Sequence, residues 1–342
     1  MTPRLIASGM IAAAIAAAPS ANQIAPAVRS LLAKQLKFSA NDLNALERGG
    51  IVTHTLGASG PGEIAAVAGI WIDTSAAEFV AAFRDIVHFK QGDEVLQIGL
   101  FSDPPTLEDI KSLTITSDDF DGRACHVGDC PIRLPADAIR RIEHDTDWRA
   151  SDANAQAADA FKRMLVDDVR AYWSGGPGRF AEYNDGHKPI RPLDDFAEVL
   201  KSSPYLDALV PGLAAHLARF PGAKLEGAED FLYWSKEKFG FTPFITVTHI
   251  TIVHAPSGDV VATTKDVYSS RYFDTSLGLT VASDAGAGRG VFLIYVNRSR
   301  ANALKGRFSG IRRSLVERRA AGGMEESLKR VKARLEKPEN RP

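Results

Sequence analysis

Beyond its first two dozen residues this chain contains no apolar run approaching the roughly 20 residues that a bilayer-spanning helix requires. A helical membrane-embedded body is therefore excluded for the rest of the sequence. Cysteine is nearly absent, two among 342 residues, which excludes a disulfide-stapled scaffold and a multi-cysteine zinc centre. Net charge is nearly absent as well, −1 in total, so the overall balance implies no nucleic-acid partner. The glycine-rich segment Gly286-Ala287-Gly288-Arg289-Gly290 precedes an apparent strand instead of joining a strand to a helix, so it lacks the context of a phosphate-binding loop. Gly57-Ala58-Ser59-Gly60-Pro61 carries proline where a nucleophile elbow needs glycine. No His-Glu-x-x-His pair occurs, and neither a cofactor nor a metal is expected.

What is present begins with an address. Arg4 precedes a small-apolar run from Leu5 to Ala18, followed by Pro19-Ser20-Ala21, the order of positive start, apolar core and small-residue cleavage region found in secretory signal peptides. Residues 1–20 are read as that signal and 21–342 as a single exported domain, periplasmic or secreted. Cys125 and Cys130 flank His126-Val127-Gly128-Asp129, where Gly128 allows a tight turn. Export favours a local disulfide. The alternative is a metal site with His126 as third ligand, although the spacing matches no zinc pattern with a second ligand pair nearby.

The hydrophobic period divides the chain into three parts. Two short helices, 24–36 and 41–46, lead to a predicted hairpin of strands 51–56 and 63–72, then to a helix after Ser75 with Glu78 placed for a capping box, and a strand 94–101. From about 104 to 225 the pattern is helical, with Ala153, Ala157, Phe161, Leu165, Val169 and Tyr172 forming one stripe. Strands are expected at 231–234, 244–254, 260–268, 272–281 and 291–296, separated by short Gly/Pro-rich turns that favour antiparallel neighbours. A long terminal helix closes the chain, its stripe running through Phe308, Ile311, Leu315, Ala320, Met324, Leu328, Val331 and Leu335, with Gly322-Gly323 marking either a bend between two helices or a close approach to a neighbour.

The segments Ile51–Phe101 and Phe231–Leu335 have the order strand pair, helix, antiparallel strands, terminal helix. That order resembles the helix-grip fold of START-like (SRPBCC) proteins. The resemblance implies an α+β domain in which a curved antiparallel sheet grips the terminal helix and encloses an apolar cavity, with 104–225 as a large helical insertion. Tyr295–Arg300 and Phe231–Glu237 also resemble an uncharacterised group of exported bacterial proteins, a resemblance that implies no activity.

Polar residues embedded in the apolar strands are the candidates for a site: His249, Asp266, Tyr268 and Tyr295. With Trp234 and Leu328 they form the expected ligand-binding set for a hydrophobic small molecule or lipid, held without catalysis. A histidine beside a carboxylate is also the minimum for general acid–base work, so a hydrolase or cyclase using His249 and Asp266 in the same cavity is the alternative. Ordinary alternation on half-exposed strands explains the same residues without any site. Between Arg289 and Arg319 nine basic residues face one acid, Glu317. This local excess suggests either a solvated face, an envelope interaction surface, or peripheral contact with an anionic membrane through Arg298, Arg300, Arg307, Arg312 and Arg313.

Overall fold

The computed structural model describes residues 22–342 apart from 177–179, 181, 239–241, 287–289, 306–308 and 337–342, and gives the backbone alone for 309–315. The expected signal and Arg307 lie outside the described residues, as do the side chains of Arg312 and Arg313.

Helices α1 (Pro26–Gln35) and α2 (Ala40–Glu47) come first, the second opened by a reciprocal capping box between Ser39 and Asp42. Strands β1 (Val52–Thr55) and β2 (Glu63–Ile72) form the expected hairpin. Ser75 and Glu78 cap α3 (Ala76–Arg84), which continues into the one-turn α4 (Ile86–Phe89) and the strand β3 (Val95–Leu100). The insertion supplies α5 (Ala136–Asp145), α6 (Ala153–Gly175), α7 (Pro192–Lys201), α8 (Tyr205–Leu209) and α9 (Leu213–Arg219). All six stripe residues of α6 are buried. Strands β4 (Glu229–Glu237), β5 (Phe244–His254), β6 (Val260–Ser269), β7 (Thr275–Asp284) and β8 (Val291–Arg300) follow, then α10 (Ser309–Leu335), which runs through Gly322-Gly323 as one helix.

The eight strands make one antiparallel sheet in the order β1-β2-β8-β7-β6-β5-β4-β3, so the N-terminal hairpin closes onto the last strand. This is the arrangement expected of a helix-grip fold. Side chains alternate across a strand, so the register assigns every residue to a face. One face meets α3 and α10: Ala66, Ala68, Ile70 and Ile72 of β2 and Val291 and Leu293 of β8 pack with Phe79, Phe83, Met324 and Leu328. Leu328 is thus buried between helix and sheet.

The opposite face carries the helical insertion and splits into two cores. Val67, Leu279 and Ile294 pack beneath α1, α2, α7 and α9. Leu232, Trp234 and Val247 pack beneath α5 and α6. Each large apolar side chain fully buried in this way contributes about 1.5–3 kcal/mol, so covering this face with helices is a major stabilising feature.

Cys125 and Cys130 are joined by a disulfide, with Gly128 at φ +88° in the intervening turn and His126 bonded to Asp129 across it. Both sulfurs are consumed by that bond, and the His126 ring pairs with Glu143 instead of turning toward them. No described helix is long and apolar enough to cross a membrane.

Candidate functional site

Parity decides which of the expected site residues meet. His249 pairs with Lys265, whereas Asp266 pairs with Thr248, so the histidine and the carboxylate point to opposite faces of the sheet. The expected His249/Asp266 acid–base pair in one cavity is therefore corrected by the register. A bulge at Val267 separates the next two as well: Tyr268 pairs with Val247 and joins the insertion-face core, while Asp266 stays on the α10 face. Trp234, His249 and Tyr268 lie on the insertion face, away from the sheet/helix side where the cavity was expected. Asp266, Tyr295 and Leu328 lie on the α10 face.

On the insertion face the three residues have filled environments. The Trp234 indole donates to the Asp109 carbonyl at 2.8 Å and lies across Gly99, where a Cβ would approach the ring to 2.8 Å. The Tyr268 hydroxyl donates to the Arg133 carbonyl at 3.0 Å. His249 belongs to a buried polar cluster that sequence reasoning missed because its members are scattered over four elements. Asp230 Oδ1 meets His216 Nε2 at 3.0 Å, His249 Nε2 at 3.0 Å and the Thr251 hydroxyl at 2.7 Å, while Tyr172 Oη lies 2.9 Å from His249 Nδ1.

Hydrogen-bond logic assigns the protons in this cluster. His216 faces the Ala223 carbonyl through Nδ1 and a carboxylate through Nε2, both acceptors, so it must carry both protons while Asp230 is ionised. Burial opposes that charge, yet Asp230 and the carbonyl hold the His216 pKa above its ordinary value. His249 has a hydroxyl on its other side and stays neutral, burial pushing its pKa down. Buried Lys265 beside this cluster donates to the Leu217 carbonyl at 2.8 Å and lies over the Tyr172 and Phe196 rings; desolvation lowers its pKa to about 7. With Tyr172, His216, His249 and Thr251 all buried, the cluster ties α6 and α9 to the sheet.

The α10 face differs. The central strands β6, β7 and β8 are almost wholly buried, but six of their residues are half-buried: Thr264, Asp266, Ser276, Thr280, Tyr295 and Asn297. The register places all six on the α10 face, in adjacent rows. Gly278 sits among them because nothing larger fits: a Cβ there would come within 2.3 Å of the Thr264 hydroxyl and 3.2 Å of the Tyr295 ring. One wall of this patch is β2 with α10, and α3 packs on the β7 end of the same face. Toward the other edge lie Tyr233 and Phe231 of β4 and Ile98 and Leu100 of β3, with Leu100 44% exposed.

Desolvation marks two of these half-buried groups, Asp266 and Tyr295. Desolvation pushes Asp266 up to about 7; Lys90 opposes this, nearby Glu237 adds to it, and a hydrogen bond from Thr248 at 3.1 Å opposes it again. Burial likewise raises Tyr295 to about 12. Both side chains are thus strongly desolvated while remaining partly exposed. The charged margin of the patch is the ion pair of Lys90 and Glu237, with Lys90 also donating to the Tyr233 hydroxyl at 3.3 Å.

Elsewhere, a groove of about 200 Å³ separates α5 from α6, lined by exposed Arg141, Asp145, Asp159 and Arg163 over Ala138 and Ile142. A void of about 20 Å³, room for about one water, adjoins Tyr172, Phe196 and Lys265.

The expected basic surface is corrected in part. Arg298 is buried and bonds Glu63 at 2.5 Å and the Tyr205 hydroxyl at 3.2 Å; Arg300, also buried, bonds Asp195 at 2.8 Å and the Pro61 carbonyl at 3.2 Å. Both point into the insertion face, where α7 and α8 supply partners, and neither is available to a membrane.

No protein-family model matches the sequence, and no curated protein matches it. Among solved structures the chain is similar to a STAR-related lipid transfer protein from Xanthomonas axonopodis, with a TM-score of 0.40 and 10% identity over 84% of this chain and 94% of that one.

Proposed function

We propose that this is an exported, non-catalytic protein that holds a hydrophobic small molecule or lipid in the recess between the sheet and α10. The observation that carries the reading is the contiguous half-buried patch on β6, β7 and β8, set in strands whose other face is completely covered. Binding would desolvate the apolar part of the ligand against Ile98, Leu100 and Phe231, while the polar floor fixes its orientation. Among the described residues the hydrogen-bond partner of Asp266 is the Thr248 hydroxyl, and His249 points to the other face of the sheet. Export is supported by the signal-like start and by the disulfide, a bond that persists in oxidising compartments.

The test is native mass spectrometry and solvent extraction of purified protein, compared with Thr280→Trp, which fills the recess from its floor. Co-purifying apolar molecules in the wild type and their loss in a variant of unchanged melting temperature support the reading. Equal retention by both proteins, or no retained molecule and no uptake of added 1-dodecanol, would overturn it.

A further inference from the structure

The floor of the recess is not uniformly apolar, and its one carboxylate is only half satisfied. Asp266 Oδ1 accepts the Thr248 hydroxyl at 3.1 Å, whereas Oδ2 has no hydrogen-bond partner among the described residues and is not sealed from water. A carboxylate oxygen at the bottom of a desolvated depression is satisfied only by a donor that enters with the ligand. Around it the hydroxyls of Thr264 and Tyr295 and the Asn297 amide lie in adjacent rows of the same face.

The surrounding charges do not favour an anion. Lys90 is a cation whose charge acts on Asp266, and it is committed to Glu237 and the Tyr233 hydroxyl; from α10, Arg334 reaches the same end and bonds the His88, Phe89 and Gln91 carbonyls. Glu237 adds a second negative group, and the remaining titratable neighbours, Tyr233, Tyr295 and, from the insertion side, Tyr183, stay neutral because burial raises all three. The recess therefore offers a donor-seeking oxygen, and the nearby cations are already bonded to protein acceptors.

We infer that the recess selects amphiphiles whose polar end is a hydrogen-bond donor, an amine or hydroxyl placed on Asp266, and rejects anionic head groups. This rests on the recess being the binding site. The discrimination follows the charge of Asp266: strongest where the carboxyl is ionised, weakest where it is protonated. Because desolvation holds the folded carboxyl near 7 and not in the ordinary acidic range, the change falls close to neutrality.

Three probes with one chain length separate the possibilities: dodecylammonium, 1-dodecanol and dodecyl sulfate, all below micelle formation, titrated onto the full chain at about pH 5.5 and about pH 8.5. The ammonium probe should bind at least about tenfold tighter than the sulfate at the higher pH, shrinking to about threefold or less at the lower, as expected when a partly desolvated ionic contact is switched off. Asp266→Asn should reduce the preference to the low-pH value at both pH values. Thr248→Val, which leaves the carboxyl in place but removes its internal donor, should retain the preference. Equal binding of all three probes, or a preference that survives in Asp266→Asn, overturns the inference and leaves the recess as the site. Failure of every probe to bind overturns both.

Discussion

Lys265→Met is expected to stabilise the protein at about pH 6 and destabilise it at about pH 10. Lys265 is 5% exposed, and among the described residues no carboxylate pairs with it; its ammonium has one carbonyl, that of Leu217, and two aromatic faces. Desolvation lowers its pKa from 10.5 to about 7, so between those values the unfolded chain binds a proton that the folded chain does not. Stability therefore rises with pH across that window. Below it the folded protein carries the buried charge, at a cost of at most about 5 kcal/mol. The two ring faces return about 2 kcal/mol in all, and stranding the Leu217 carbonyl in the variant costs about 1–2 kcal/mol. Methionine keeps the apolar stem, so the variant should gain about 1–2 kcal/mol at the acidic end and lose a similar amount at the alkaline end. Urea denaturation at about pH 6, 8 and 10 reads the swing directly. A variant destabilised equally at all three would refute the assignment of an unpaired, desolvated lysine.

Gly278→Ala should cost about 1–3 kcal/mol because its Cβ meets the Thr264 hydroxyl, and combining it with Thr264→Ala should recover part of the loss in thermal melts. Arg298→Ala leaves buried Glu63 without its cation and should cost about 3–5 kcal/mol, while co-sedimentation with anionic vesicles stays unchanged; reduced sedimentation of a folded variant would return Arg298 to the surface. The protonated His216 contributes stability that is fully present below 6.5 and lost as pH rises through its raised folded value. The melting-temperature gap between wild type and His216→Gln should accordingly narrow with increasing pH, and a constant gap would contradict the imidazolium assignment.

Much of the architecture was legible because it rests on local rules. The capping box at Ser75, the α6 stripe and the hairpin turns are all written within a few residues of one another. The end of β8 was not, since Asn297-Arg298-Ser299-Arg300 reads as solvated charge until Glu63 and Asp195, from β2 and α7, arrive to bury the arginines. The candidate site was half legible. Asp266 and Tyr295 stand out in the sequence as polar residues in apolar strands, but their grouping with His249 and Tyr268 depended on facing. Asp266 and Tyr268 share a parity in sequence, and only the bulge at Val267 sends them to opposite faces. Nothing local to Asp230 or His216 announces that one carboxylate oxygen will meet two imidazoles, because those contacts form only when α9 docks on β4 and β5.

Chemical-shift mapping tests the central claim most directly. Isotope-labelled protein titrated with 1-dodecanol should show its largest perturbations at Thr264, Asp266, Ser276, Thr280, Tyr295 and Asn297, with His249, Trp234 and Tyr268 nearly unmoved. Perturbations centred instead on the α5–α6 groove, or on the insertion-face cluster of Asp230, His216 and His249, would contradict a binding recess between the sheet and α10.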